Sequence, residues 1–135
     1  MRYITGVHAL NLPCSLDTCG DWHQSALRWQ NITFMDTENS FFGDWGIEPE
    51  KHIPGQVKTY PAANHIRALL DLLQVGNFSV AQGMNNDFIG NDEYTPEIFT
   101  KVASMKSLPH WSEIDRFMGK EYYRKWLNFK RRAGL

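Results

Sequence analysis

Residues 61–76 read PAANHIRALLDLLQVG, and this stretch decides how the rest of the chain divides. Ile66, Leu69, Leu70 and Leu73 recur at the three- and four-residue intervals that bring side chains onto one face of an α-helix. Gly76 follows the last of them, where a glycine releases the chain by taking left-handed backbone angles. Pro61 suits a first-turn position, because its missing N–H would have no helical partner there. The pattern predicts a helix between these two residues.

Downstream, the punctuation stays helical. Val80, Ala81 and Met84 can share a face in a short helix from Phe78 to Met84, before Asn85, Asn86 and Asp87 break the pattern. Thr95, Pro96 and Glu97 read as an N-cap, a first-turn proline and an acid complementing the helix dipole. Ile98, Phe99, Val102 and Met105 form the stripe behind them, and that helix should end before Pro109. Ser112 with Asp115 matches a capping box that opens a last helix with Ile114, Phe117, Met118, Tyr122, Trp126 and Phe129 at its apolar positions. Gly119 weakens that helix without breaking it.

Upstream, from Arg2 to about Trp45, β-branched and aromatic residues alternate with Gly, Pro, Asn and Asp, as in short strands and turns. Strands are expected at Tyr3 to Leu12, Ser25 to Trp29 and Ile32 to Phe34. In the first, Gly6 marks a bulge and His8, Leu10 and Leu12 share the inward face. Gly46 to Thr59 contains Pro49 and Pro54 with no clear period and reads as a long irregular connection. The fold class expected is α+β, with short N-terminal antiparallel strands packed against a C-terminal bundle of three to four helices. The 135 residues suit a single domain, residues 1–135, large enough for one core.

With 42% apolar and 21% charged residues, the chain has the balance of a globular protein. No apolar run approaches the roughly 20 residues that cross a bilayer. The N-terminal MRYITGVHALNL carries Thr5, His8 and Asn11 where an export signal would be uninterrupted, so a cytoplasmic location and no membrane partner are expected. In a reducing compartment Cys14 and Cys19 are thiols or metal ligands before they are a structural bridge.

His8, Cys14, Cys19 and His23 form H-x5-C-x4-C-x3-H, four donors of the kind zinc takes in a tetrahedral site. The order departs from the usual pairing of two Cys followed by two His, and the plainer reading is a hydrogen-bonded His8 with two small cysteines around a turn. Asp21, His23 and His8 also invite an acid–base site, in which the carboxylate orients an imidazole that takes a proton. No basic residue near either Cys in sequence lowers its pKa, which argues against a cysteine nucleophile. Phosphate-loop, dinucleotide, nucleophile-elbow, HExxH and calcium-loop patterns are all missing. Gly-Asp-Trp occurs at 20–22 and 43–45 and reads as turn chemistry with a buried Trp. The stretch QGMNNDFIGNDE, residues 82–93, reads as a connection whose amides could alternatively line a cleft.

Charge is distributed unevenly. Residues 116–135 hold seven bases and one acid, whereas residues 1–115 hold seven bases and fourteen acids. In KEYYRKWLNFKRR, basic residues interleave with aromatics that could stack on bases or pack in the core. The leading expectation is a small interaction or regulatory protein that uses Arg124, Lys125, Trp126, Lys130, Arg131 and Arg132 to bind a macromolecule, a protein before a nucleic acid. The alternative is a small hydrolase or transferase with a His8, Asp21 and His23 site, zinc-dependent if the His8–Cys14–Cys19–His23 set binds metal.

Overall fold

A computed structural model describes all 135 residues. Four strands, β1 (Arg2–Ile4), β2 (Phe34–Asp36), β3 (Ile47–His52) and β4 (Thr59–Ala63), form one sheet in the order β2-β1-β4-β3. β1 runs antiparallel to β2 and parallel to β4, and β3 pairs antiparallel with β4. The helices are α1 (Gly6–Leu10), α2 (His65–Val75), α3 (Phe78–Ala81), α4 (Thr95–Ala103), α5 (Trp111–Tyr122) and α6 (Arg124–Ala133). The architecture is α+β, with strands in the N-terminal half and helices in the C-terminal half. The sheet is mixed, because the β1–β4 pair is parallel.

α2 is the helix that residues 61–76 predict, but it starts later. Asn64, not Pro61, precedes its first turn, and the Asn64 side chain accepts the Arg67 N–H. Pro61 lies within β4, opposite the register shift between Glu48 and Lys51 of β3, where a residue without an N–H leaves no ladder bond unmade. Gly76 takes φ +79° and closes the helix as expected. From His65 to Leu73 every residue of α2 is buried, Arg67 and Asp71 included. These two pair at 2.9 Å (Arg67 Nε to Asp71 Oδ1), Tyr3 and Thr5 each donate to Asp71 Oδ2 at 2.6 Å, and Arg67 also reaches the Tyr3 hydroxyl and the Trp45 carbonyl. A buried ion pair persists only with its remaining hydrogen-bonding capacity satisfied, which this network does. It ties β1 to the middle of α2.

Several expected elements differ. The strand expected over Tyr3 to Leu12 ends at Ile4. Gly6, at φ +60°, turns the chain into α1, and α1 packs on α2 with Ala9 and Leu10 buried. Ser25 to Trp29 is not a strand: a short 3-10 turn spans Gln24–Ala26, and the Trp29 indole N–H donates back to the Gln24 carbonyl. The connection read across 46–59 contains β3, whose register shift at Glu50 (φ +56°) hides its period. Residues 84–89 coil as a wide helical turn held by Glu121, which accepts the Gly83 and Asn85 N–H groups. The last helix is two, because Tyr123 (φ +53°) breaks it. α6 folds back so that the Trp126 indole donates to Asp115 Oδ1 at 2.8 Å and Lys130 pairs with the same oxygen at 2.8 Å. Asp115 therefore anchors α6 and does not cap α5.

Candidate functional site

The largest cleft, about 480 Å³, lies where residues 10–24 cross the N-terminus of α2. Its wall includes Leu10, Leu12, Leu16, Cys14, Cys19, Asp21, Trp22, Gln24 and His65. The segment has no regular structure after α1, so side chains must hold it in shape. Asn11, at the end of α1, donates to the Val7 carbonyl at 2.9 Å and to Asp21 Oδ2 at 3.2 Å, and accepts the His23 N–H at 2.9 Å. The Asp21 N–H reaches the Leu10 carbonyl at 2.8 Å. On the other side, Glu48 of β3 accepts the Ser15 N–H and hydroxyl and pairs with Lys51 at 2.7 Å. The Phe88 and Ile89 carbonyls receive the Gly20 and Cys19 N–H groups. The 82–93 stretch thus braces the cleft loop from behind.

Within this frame Cys14, Thr18 and His65 form a relay. Cys14 Sγ lies 3.6 Å from Thr18 Oγ1, and Thr18 Oγ1 lies 2.6 Å from His65 Nδ1. His65 Nε2 lies 2.7 Å from the Leu12 carbonyl, which only accepts, so Nε2 carries a proton. In the neutral ring Nδ1 is then the acceptor, and the thiol proton has a path through the Thr18 hydroxyl to it. Gly20 makes room for this arrangement. It sits at φ +69°, and a Cβ there would come within 2.7 Å of the His65 ring.

Electrostatics favour the ionised form of the thiol. Burial opposes it, but the His65 side chain, the His65 and Leu16 main-chain N–H groups and the imidazolium charge outweigh burial and bring the Cys14 thiol down to about 7. His65 moves the opposite way: burial pulls its pKa down, while Cys14, the Leu12 carbonyl and the Glu48 charge raise it above its usual value. Both shifts run in the direction that favours proton transfer from Cys14 to His65, at the start of a helix whose dipole also favours a negative charge.

The residues read from the sequence separate into groups. Asp21 and His23 do meet, through a short hydrogen bond from His23 Nδ1 to Asp21 Oδ1. Burial works to raise the Asp21 pKa, but bonds from His23, Asn11 and the Trp22 N–H hold it low. The His23 side chain is 75% exposed. His8 is not with them: it is buried, receives the Thr33 N–H on Nδ1, donates from Nε2 to the Arg28 carbonyl and meets the Trp29 ring edge-on. The three do not form one acid–base site. Nor are His8, Cys14, Cys19 and His23 gathered: no three His, Cys, Asp or Glu side chains anywhere in the chain stand together as metal ligands, and both His8 nitrogens are engaged. Trp22, expected to be buried, is 84% exposed at the cleft rim.

At the other end, the helix α6 buries Trp126 and packs Phe129 against it and Phe99. Lys130 is half-buried against Asp115, Lys125 reaches Asp92 at 3.5 Å, and Arg124, Arg131 and Arg132 are exposed without an acidic partner. His65 was invisible as a site residue from the sequence, because it is distant from Cys14 along the chain. Its one local mark is a histidine in the first turn of the helix. No protein-family model, curated protein or solved structure matches the chain, and no helix is long and apolar enough to cross a membrane.

Proposed function

We propose that this protein is a thiol enzyme in which Cys14 is the nucleophile and His65, acting through Thr18, takes and returns its proton. The observation that carries this reading is the Cys14–Thr18–His65 relay in the wall of the largest cleft. A thiolate is the reactive form of cysteine, and a positioned imidazole both generates it at neutral pH and can protonate a leaving group. Leu10, Leu12, Leu16 and the exposed Trp22 offer apolar contacts for a small substrate beside the sulfur. Asp21, which lines the same cleft, orients the exposed imidazole of the neighbouring His23 through its Nδ1 proton. Alkylation by iodoacetamide tests the reading. The Cys14 rate should climb as pH rises through about 7, because the reactive form is the deprotonated one. His65→Ala should shift that profile upward and slow the reaction at neutral pH about tenfold or more. A Cys14 profile centred near that of an ordinary thiol, unmoved by His65→Ala, would refute the proposal.

A second reading, a macromolecular contact through α6, is favoured by the unpaired Arg124, Arg131 and Arg132. With Trp126 and Phe129 packed against α4, stacking on nucleic-acid bases loses its principal aromatics, and an acidic protein surface is the better match. Replacing Arg124, Arg131 and Arg132 together by Glu should abolish binding to an acidic peptide and change folding stability by less than about 0.5 kcal/mol per site. Undiminished peptide binding by the triple variant would remove this reading.

A further inference from the structure

The cleft contains two thiols, and its polar groups indicate which electrophile suits them. We infer that the substrate class is a disulfide, and that Cys19 is the second thiol that resolves the mixed disulfide formed on Cys14. The inference rests on the thiol reading above and goes beyond it in naming the substrate and a partner for the nucleophile.

Three observations point this way. Cys14 and Cys19 line the same cleft on one segment without helix or strand between them, and both are free. Bringing the two sulfurs to disulfide distance works against the loop hydrogen bonds of this segment and against no helix or strand ladder. Cys19 is exposed, and its sulfur packs over Gly90, where an added Cβ would lie 2.5 Å away. Its main chain is pinned to Ile89, so the thiol is held at the cleft and not on a free end.

The third observation is where the donors of the cleft are directed: the His65 and Leu16 main-chain N–H groups face the Cys14 sulfur itself. Acyl transfer creates an oxyanion that needs donors aimed at it. The two side-chain amides of the cleft are committed elsewhere: Asn11 Nδ2 donates to Val7 and Asp21, and Gln24 Nε2 to the Asn11 carbonyl at 3.0 Å. Exchange at sulfur has no tetrahedral oxyanion. It needs an attacking thiolate, a leaving thiol and access.

The steps balance. The Cys14 thiolate attacks one sulfur of RSSR, the S–S bond breaks, and RS⁻ leaves and takes the proton held on His65. Cys19, giving up its proton to water, then attacks Cys14 Sγ in the mixed disulfide and expels the second RS⁻, which is protonated in turn. The protein dithiol loses two electrons and RSSR gains them, yielding two RSH and a Cys14–Cys19 disulfide. A second thiol reductant, such as free dithiothreitol, returns the protein to its starting state.

The test is intact-mass analysis of the full chain after brief exposure to hydroxyethyl disulfide, followed by peptide mapping. Wild type should lose two hydrogens, carry no adduct and yield a Cys14–Cys19 linked peptide. Cys19→Ser should instead accumulate one mercaptoethanol adduct on Cys14, and Cys14→Ser should react at least tenfold more slowly. Circular dichroism of each variant confirms that it is folded, and Cys19→Ala serves where Cys19→Ser is not. If wild type keeps the adduct on Cys14 with no linked peptide, the role of Cys19 is overturned while the thiol reading stands. If wild-type Cys14 forms neither adduct nor link yet is alkylated with the low pH profile, the disulfide substrate is overturned. Slow, ordinary alkylation of Cys14 would take the thiol reading down with it.

Discussion

The cleft loop over α2 and the α5–α6 hairpin are built on opposite plans. In the hairpin, Trp126 and Phe129 pack against Phe99, the bases point outward, and one carboxylate, Asp115, ties the corner. Its charge is conspicuous in sequence and mostly solvated in space. In the cleft loop few charges stand out in sequence, but Asn11 holds Asp21, Thr18 meets His65, Glu48 holds Ser15 and His65 reaches the Leu12 carbonyl around an open space. Residues that satisfy each other around solvent-accessible volume can act on a ligand, while bases spread on a helix surface mainly attract. On the thiol reading proposed above, the chemistry lies in the quiet half of the sequence.

The largest expected effect lies in α2, the helix beneath the cleft loop. Arg67→Met leaves Asp71 buried without its cation, and loss of one member of a buried pair costs about 3–5 kcal/mol. Urea denaturation should show a loss of that size. A change below about 1 kcal/mol would mean that α2 is not held by this network. Gly20→Ala acts on the loop alone: a left-handed alanine costs about 1–2 kcal/mol, and the new methyl pushes the His65 ring away from Thr18. Cys14 alkylation at neutral pH should slow while the α5–α6 hairpin keeps its hydrogen-exchange protection. Equal loss of protection in both regions would show that they are one cooperative unit.

The smallest effect concerns the hairpin corner. Burial works to raise the Asp115 pKa, but Lys130 and the Trp126 indole lower it below its usual value. A carboxyl depressed on folding adds stability above its unfolded pKa, and that stability is lost as pH falls through the folded value. Tryptophan fluorescence should therefore report loosening of α6 under acid, and Asp115→Asn should already show the loosened signal at neutral pH and remove that part of the acid response. An identical acid transition in both proteins would assign no role to Asp115.

The helical half was largely legible because its signals are local. Ile66 to Leu73 with Gly76, and Ile98 to Val102 behind Pro96, predict α2 and α4 from spacing and punctuation alone. The strand half was not. Leu10 and Leu12 fit a strand face, yet Gly6 and the adjacent surface of α2 make a helix of Gly6–Leu10. Pro61 fits a helix start and a strand opposite a bulge equally well in sequence, and only pairing with β3 distinguishes them. Of the acid–base residues, Asp21 and His23 were readable as a pair two positions apart, while His8 belongs to a different set of hydrogen bonds.

The sequence by itself determined an α+β chain with a helix that closes at Gly76, further helices toward the C-terminus and a basic final segment, because periodicity, caps and charge act over a few residues. The tertiary structure decided which cysteine meets a base. An imidazole shifts a thiol through space over a few ångströms, whatever the length of chain between them. His65 reaches Cys14 only after β4 has set the start of α2 beneath the loop and Gly20 has left room for its ring.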